Sequence, residues 1–134
     1  MQYLLDTSTC VFFLRGKLNF DDYIRTRGLK NCFISEVSVL ELRFGAENSN
    51  NPTKSHKAVD DFLNGLTIIP IASCIKRYAK EKVRLRRIGK PMHDEFDLLI
   101  GVTALENKQI LVTDNVKDFE NLEGIQIENW FVRV

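Results

Sequence analysis

Asp6, Glu41, Asp97 and the cluster Asp114, Asn115 and Asp118 place oxygen donors at four points along the chain, with no histidine or cysteine at metal-ligand spacing beside them. Carboxylate and water ligands suit Mg²⁺ or Mn²⁺, hard cations that keep several waters and meet the phosphates of a substrate. Zinc does not fit, because His56 and His93 are the only histidines and stand far apart in sequence.

Those acids need elements to bring them together. "QYLL" reads as a short buried strand, and a helix opened by Asp6, Thr7 or Ser8 runs from it to Gly16. "NFDDYIRTRGL" suits a second short helix with Asn19 as its cap, "CFIS" a strand, and "SEVSVLELRFGAEN" a helix ending at or just after Gly45. An amphipathic helix over "KSHKAVDDFLNG" and a strand over "LTIIPIA" follow. A long basic helix capped by Ser73 then ends at Gly89, and the helix of "DEFDLLIGVTALE" succeeds it. "QILVT" and "IQIENW" are the last strands. Strands alternating with helices predict one domain over 1–134, a three-layer α/β/α sandwich around a mainly parallel sheet of four to five strands. In such sheets ligands bind beyond the carboxyl ends of the strands, where strand order reverses. Asp6 directly follows the first strand, and "TDNVKDF" directly follows "QILV".

Each acid also has a purely structural reading. Asp is a preferred helix N-cap, and acids favour a helix N-terminus. In "DEFDLLIG", Asp94 suits the cap, and Asp97 falls at the third helical position, almost a capping box. The helix they open is apolar on nearly every side and therefore buried, so a carboxylate in its first turn is desolvated unless something meets it. The capping reading suits Asp94 better than Asp97. Glu41 falls on a helical face with Val37, Leu40 and Phe44. Such a glutamate is costly unless paired with a cation or hydrogen-bonded: a buried arginine partner is the structural reading and a shared metal the functional one.

Composition sets outer bounds. The chain has 134 residues, 44% hydrophobic and 28% charged, with a formal net charge of +1. No global field draws it to nucleic acid or membrane, so a polyanionic partner would have to meet a local patch. No apolar run approaches a membrane span, and the start lacks the basic region of a signal peptide. Three widely spaced cysteines read as reduced, buried thiols of a cytoplasmic protein.

"YLLDTS", "SEVSVLELRFG", "GKPMHDEFDLLIGVTAL" and "LVTDNVKDFENLEGIQIENW", in series over essentially the whole chain, resemble the PIN-domain ribonucleases, specifically the VapC toxins of bacterial toxin–antitoxin pairs. The resemblance implies a Mg²⁺-dependent endoribonuclease acting on a structured RNA, transfer or ribosomal. It further implies a homodimer silenced by a small VapB-like antitoxin. It maps the first three acids to Asp6, Glu41 and Asp97, with Asp6 and Asp97 on the metal. The fourth position lies within the "T-x-N-x-x-D-F" segment, where Asn115 and Asp118 both match and Asp114 occupies a variable place. The chemistry agrees: a carboxylate-held metal lowers the pKa of bound water and neutralises phosphoryl charge.

An acidic pocket repels RNA unless basic residues surround it. Residues 76–90 hold eight Lys or Arg. Lys76, Arg77, Lys80, Arg84 and Arg87 share a solvated side, whereas Lys82 and Arg86 fall in the apolar stripe of Ile75, Tyr78, Ala79, Val83 and Leu85. Lys82 and Arg86 are therefore the candidate RNA contacts, against the alternative that they snorkel. Phe20 and Tyr23, with Phe12 and Phe13, crowd two short helices, as core or as a groove for an antitoxin helix. Three other readings compete. A dehalogenase-type phosphatase needs a second Asp where Ser8 stands, and a receiver module needs an acid after "LTIIPIAS". A PIN fold kept only for binding would not need the intact acidic set.

Overall fold

The computed structural model describes residues 1–16 and 19–131. In chain order the elements are β1 (Tyr3–Leu5), α1 (Thr7–Leu14), α2 (Phe20–Arg27), β2 (Cys32–Ser35), α3 (Glu36–Glu47), α4 (Pro52–Leu63) and β3 (Thr67–Ile69). Then come α5 (Ile75–Arg87), α6 (Glu95–Glu106), β4 (Ile110–Val112), α7 (Val116–Phe119) and β5 (Gln126–Glu128). The five strands form one parallel sheet in the order β3-β2-β1-β4-β5. The chain builds outward from β1 through β2 to β3, then returns to the other side of β1 with β4. The reversal therefore falls between β1 and β4.

Successive strand residues point to opposite faces, and two cores result. Leu4 and Leu111 pack on one face with Leu85, Leu98, Val102, Phe119 and Leu122, from α5, α6 and the α7 region. Leu5, Ile34 and Val112 pack on the other with Cys10, Phe13, Leu42, Val59 and Trp130, from α1, α3, α4 and the end of the chain. The expected three layers are present. Cys10, Cys32 and Cys74 are free and buried.

Helix starts follow capping chemistry. Asp6 accepts from Thr9 N–H, Asn19 from Asp21 N–H, and Asp94 from both Phe96 and Asp97 N–H groups. The expected Ser73 cap is absent. A 3₁₀ turn over Ile71–Cys74 leads straight into α5, and the Ser73 hydroxyl donates to Pro70 O within it. The backbone is already turning there, so no side-chain cap is required. Gly101 lets α6 lie close to the α7 region: a Cβ there would stand 2.3 Å from Leu122 Cδ1.

Two helix faces depart from the expected stripes. On α3 the buried residues are Val37, Ser38, Leu42 and Ala46, while Leu40 and Phe44 are 52% and 71% exposed. Glu41 continues the row of Val37, one turn on, rather than that of Leu40 and Phe44. On α5 the buried residues are Glu81 and Leu85, flanked by the half-buried Tyr78, Lys82 and Arg84, whereas Ile75, Val83 and Arg86 are exposed. A hydrophobicity pattern misplaces this stripe because its central member is a charge. Glu81 is acceptable in the core because Arg84 grips it through two nitrogens at 3.0 and 2.9 Å. Arg84 also donates to Asn121 O at 2.6 Å, so it is built into the fold rather than lying on a solvated side.

Candidate active site

Asp6 ends β1 at the β1/β4 reversal, 3% exposed, and its backbone N–H donates to Val112 O on β4. Its side chain accepts from Thr9 N–H at 2.8 Å and from the Ser8 hydroxyl, 2.9 Å from both carboxylate oxygens. Ser8 Oγ also lies 3.0 Å from Asp114 Oδ1, which brings the end of β4 to the end of β1. Glu41 reaches the same place from α3, where Thr7 Oγ1 donates to it at 2.7 Å. Asp97 projects from the first turn of α6, and Asp118 from α7.

The electrostatics show that these groups converge. Burial raises the pKa of Asp6, against the hydrogen bonds that lower it. Burial also raises Glu41, the Thr7 hydroxyl opposes this, and the charges of Asp94 and Asp6 add to it. Asp97 is pushed from 3.8 up to about 7, first by burial and then by Asp94, Asp6, Glu41 and Asp118. Among the described residues no Lys, Arg or His forms an ion pair with Asp6, Glu41, Asp94, Asp97 or Asp118. The arginine alternative for Glu41 is thereby removed, since neighbouring Arg43 turns to His56 and Asp60 instead.

Asp94 is the residue that sequence reasoning undervalued. It is the cap it was expected to be, through Oδ1, which accepts at 2.9 and 3.1 Å. It is also the foremost charge acting on Asp97. Its place one turn before Asp97 was the available signal. Within the Asp114–Asp118 segment, Asp118 shares a cavity with Asp94, Asp97, Lys90, Lys117 and His93. Asp114 joins through Ser8, and Asn115 is exposed at the start of α7. Lys82 and Arg86 lie outside this cavity, in a neighbouring one. Phe20 and Tyr23 lie elsewhere altogether. They pack with Phe13, and Tyr23 stacks on Trp130 with ring centroids 5.3 Å apart.

Unpaired carboxylates at this density suit a divalent cation. Among the described residues no three His, Cys, Asp or Glu side chains close on one point as a finished cage. An open set of oxygen donors fits an ion that keeps most of its water and binds through one or two carboxylates, as Mg²⁺ does.

The PIN domain family model matches residues 3–125. Over 135 residues the chain is 32% identical to ribonuclease VapC2 of Rickettsia felis, covering 97% of this chain and 98% of that protein. It is 29% identical over 134 residues, with the same coverage, to the tRNA(fMet)-specific endonuclease VapC of Salmonella typhimurium. A solved DNA-bound VapBC from Salmonella typhimurium superposes with a TM-score of 0.89 at 27% identity, over 97% of this chain and 98% of that one. The chain belongs to the PIN-domain family and, within it, to the VapC ribonucleases. Its activity is that of a ribonuclease, and the phosphatase, receiver and binding-only readings fall away. Metal dependence is typical of the family.

Proposed function

We propose that the acids at the β1/β4 reversal form a Mg²⁺ site, open also to Mn²⁺, at which this endoribonuclease hydrolyses a phosphodiester bond of a structured RNA, transfer RNA first. The observation that carries the reading is the group of five mutually acting carboxylates with no cation paired to any of them among the described residues. A divalent cation held there lowers the pKa of a coordinated water and offsets charge on the phosphoryl oxygens.

The chain's own residues divide the rest of the work. Asp6, fixed by Ser8 and Thr9, and Asp97, at the start of α6, hold the metal. Glu41, aligned by Thr7, completes the set or orients the attacking water. Asp118 supports from α7 as the fourth acid. Asp114 acts at one remove, through Ser8 on Asp6, and Asn115 is the remaining candidate on that turn. Asp6→Asn and Asp97→Asn are expected to keep the fold and abolish Mg²⁺-dependent cleavage of transfer RNA. Asp118→Asn is expected to cost more activity than Asn115→Ala. Full cleavage by either of the first two variants refutes the assignment.

The antitoxin has an apolar groove available beside this centre. Val11 and Leu14 of α1, Leu42 and Ala46 of α3, and Ala58 and Val59 of α4 line it, with Glu41 at one side. An amphipathic segment seated there lies next to the metal site. Phe20 and Tyr23 buttress α1 from behind through Phe13, so alanine at either position is expected to weaken antitoxin binding through that support. A homodimer is favoured by Leu40 and Phe44, one turn apart and exposed on α3. The proposed setting is the cytoplasm, in keeping with three free cysteines. No helix among the described residues is long and apolar enough to cross a membrane.

A further inference from the structure

The acidic centre does not end at Asp97. Its cavity, which Asp94, Asp97 and Asp118 line, is walled on one side by the segment Lys90–His93 between α5 and α6, exposed except at the half-buried Met92. A second cavity opens on the other side of that segment, and Pro91, Met92 and His93 line both. The second cavity has an apolar floor of Leu85, Met92 and Leu98, and its polar groups are Lys82, Arg86, His93 and Glu95.

Those polar groups are not equivalent. The Lys82 ammonium is held by Glu95 Oε1 at 2.6 Å and lies 3.2 Å from the Tyr78 hydroxyl, which itself donates to Glu95. That trio is closed on itself and nearly neutral. Arg86 has no carboxylate partner among the described residues. The other arginines of α5 differ from it. Arg77 pairs with Glu106, Arg84 pairs with Glu81, and Arg87 lines neither cavity. Arg86 alone in this helix thus presents an uncommitted guanidinium to a pocket that adjoins the catalytic acids.

We propose that this second pocket is a subsite for the RNA strand, in which Arg86 binds the phosphate flanking the scissile one. His93, on the shared ridge, packs against the nucleotide that links the two. The proposal rests on the nuclease reading and adds where the strand leaves the acids. A guanidinium fork matches two phosphate oxygens, an imidazole ring stacks on a base, and an apolar floor accepts sugar or base. The pocket also answers a difficulty of the site: five carboxylates repel a polyanion, and a cation one nucleotide away offsets that repulsion without quenching the acids.

The test uses the full chain and a transfer RNA cleaved by the wild type. Cleavage with Mg²⁺ is measured for Arg86→Ala, His93→Ala and Arg87→Ala, and RNA affinity for the same substitutions added to Asp97→Asn. Arg86→Ala is expected to raise KM and Kd about tenfold, the weight of one charge-assisted contact. It should also lower the slope of log affinity against log salt by about 0.7. His93→Ala is expected to raise KM with kcat little changed, and Arg87→Ala to stay within about twofold of wild type. Melting temperatures should remain level, since Arg86 and His93 are exposed. Equal effects of Arg86→Ala and Arg87→Ala overturn the subsite, as does an Arg86→Ala variant that binds and cleaves the RNA as the wild type does. Cleavage by Asp97→Asn itself is a different result, and overturns the metal site instead.

Discussion

Removing one charge from the acidic cluster should make the metal-free protein more stable and inactive at the same time. Asp97 is pushed from 3.8 up to about 7 by burial and by four surrounding carboxylates. The folded state therefore keeps a proton on Asp97 that the unfolded chain has lost. Its contribution to stability is fully present below about pH 3.8, declines as pH rises, and is gone above about 7. Taken at face value the shift corresponds to about 4 kcal/mol at 1.36 kcal/mol per unit. Asp97 is only half-buried and water screens its neighbours, so about 1–2 kcal/mol is the realistic cost of ionising it. Asp97→Asn keeps the shape and removes the charge. In EDTA at pH 8 it should melt about 3–8 °C above wild type, a difference that shrinks toward zero near pH 4. Mg²⁺ should raise the melting point of the wild type and leave that of the variant nearly unmoved, with cleavage down by more than about 100-fold. Calorimetry across pH 4–8, with and without Mg²⁺, reads all of this. A variant that melts below wild type at pH 8, or by the same margin at pH 4 and pH 8, would falsify the account of Asp97 as a crowded, metal-awaiting carboxylate.

Gly101→Ala should destabilise by about 1–3 kcal/mol in chemical denaturation, because its methyl meets Leu122 where α6 and the α7 region touch. A neutral result would show that Leu122 can move aside. Arg84→Ala should cost about 1–3 kcal/mol by leaving buried Glu81 without its cation, while kcat of the folded fraction stays unchanged. A stability matching wild type would mean that solvent already satisfies Glu81. Ser8→Ala should weaken cleavage by about tenfold and raise the Mg²⁺ concentration needed for half-maximal activity, since it unties Asp114 from Asp6. Unchanged Mg²⁺ dependence in that variant would remove Asp114 from the site's support.

Much of this molecule is written in local sequence. Strand and helix identities follow from short apolar runs, periodic helices and the caps Asp6, Asn19 and Asp94, because those signals act over a few residues and need no distant partner. Alternating strands and helices set the parallel sheet, and a parallel sheet places chemistry at its strand ends. Asp6 and the Asp114–Asp118 segment stand out in the sequence for that reason, and Asp97 because it opens an apolar helix. What only the tertiary structure decided is which faces are buried. Leu40 and Phe44 face outward on α3 although they are apolar, and Glu81 faces inward on α5 although it is charged. Burial depends on what lies opposite: Arg84, one turn on in the same helix, grips Glu81, but Asn121 O anchors that arginine and the Glu123 N–H donates to Glu81, both from the distant segment after α7. The same cause moved Arg86 out of its expected stripe, clamped Lys82 to Glu95, and brought Asp6, Glu41 and Asp118 to bear on Asp97. A helix pattern records each residue's own preference. A charge in the core, or a crowd of them around one site, is settled by partners that no local pattern contains.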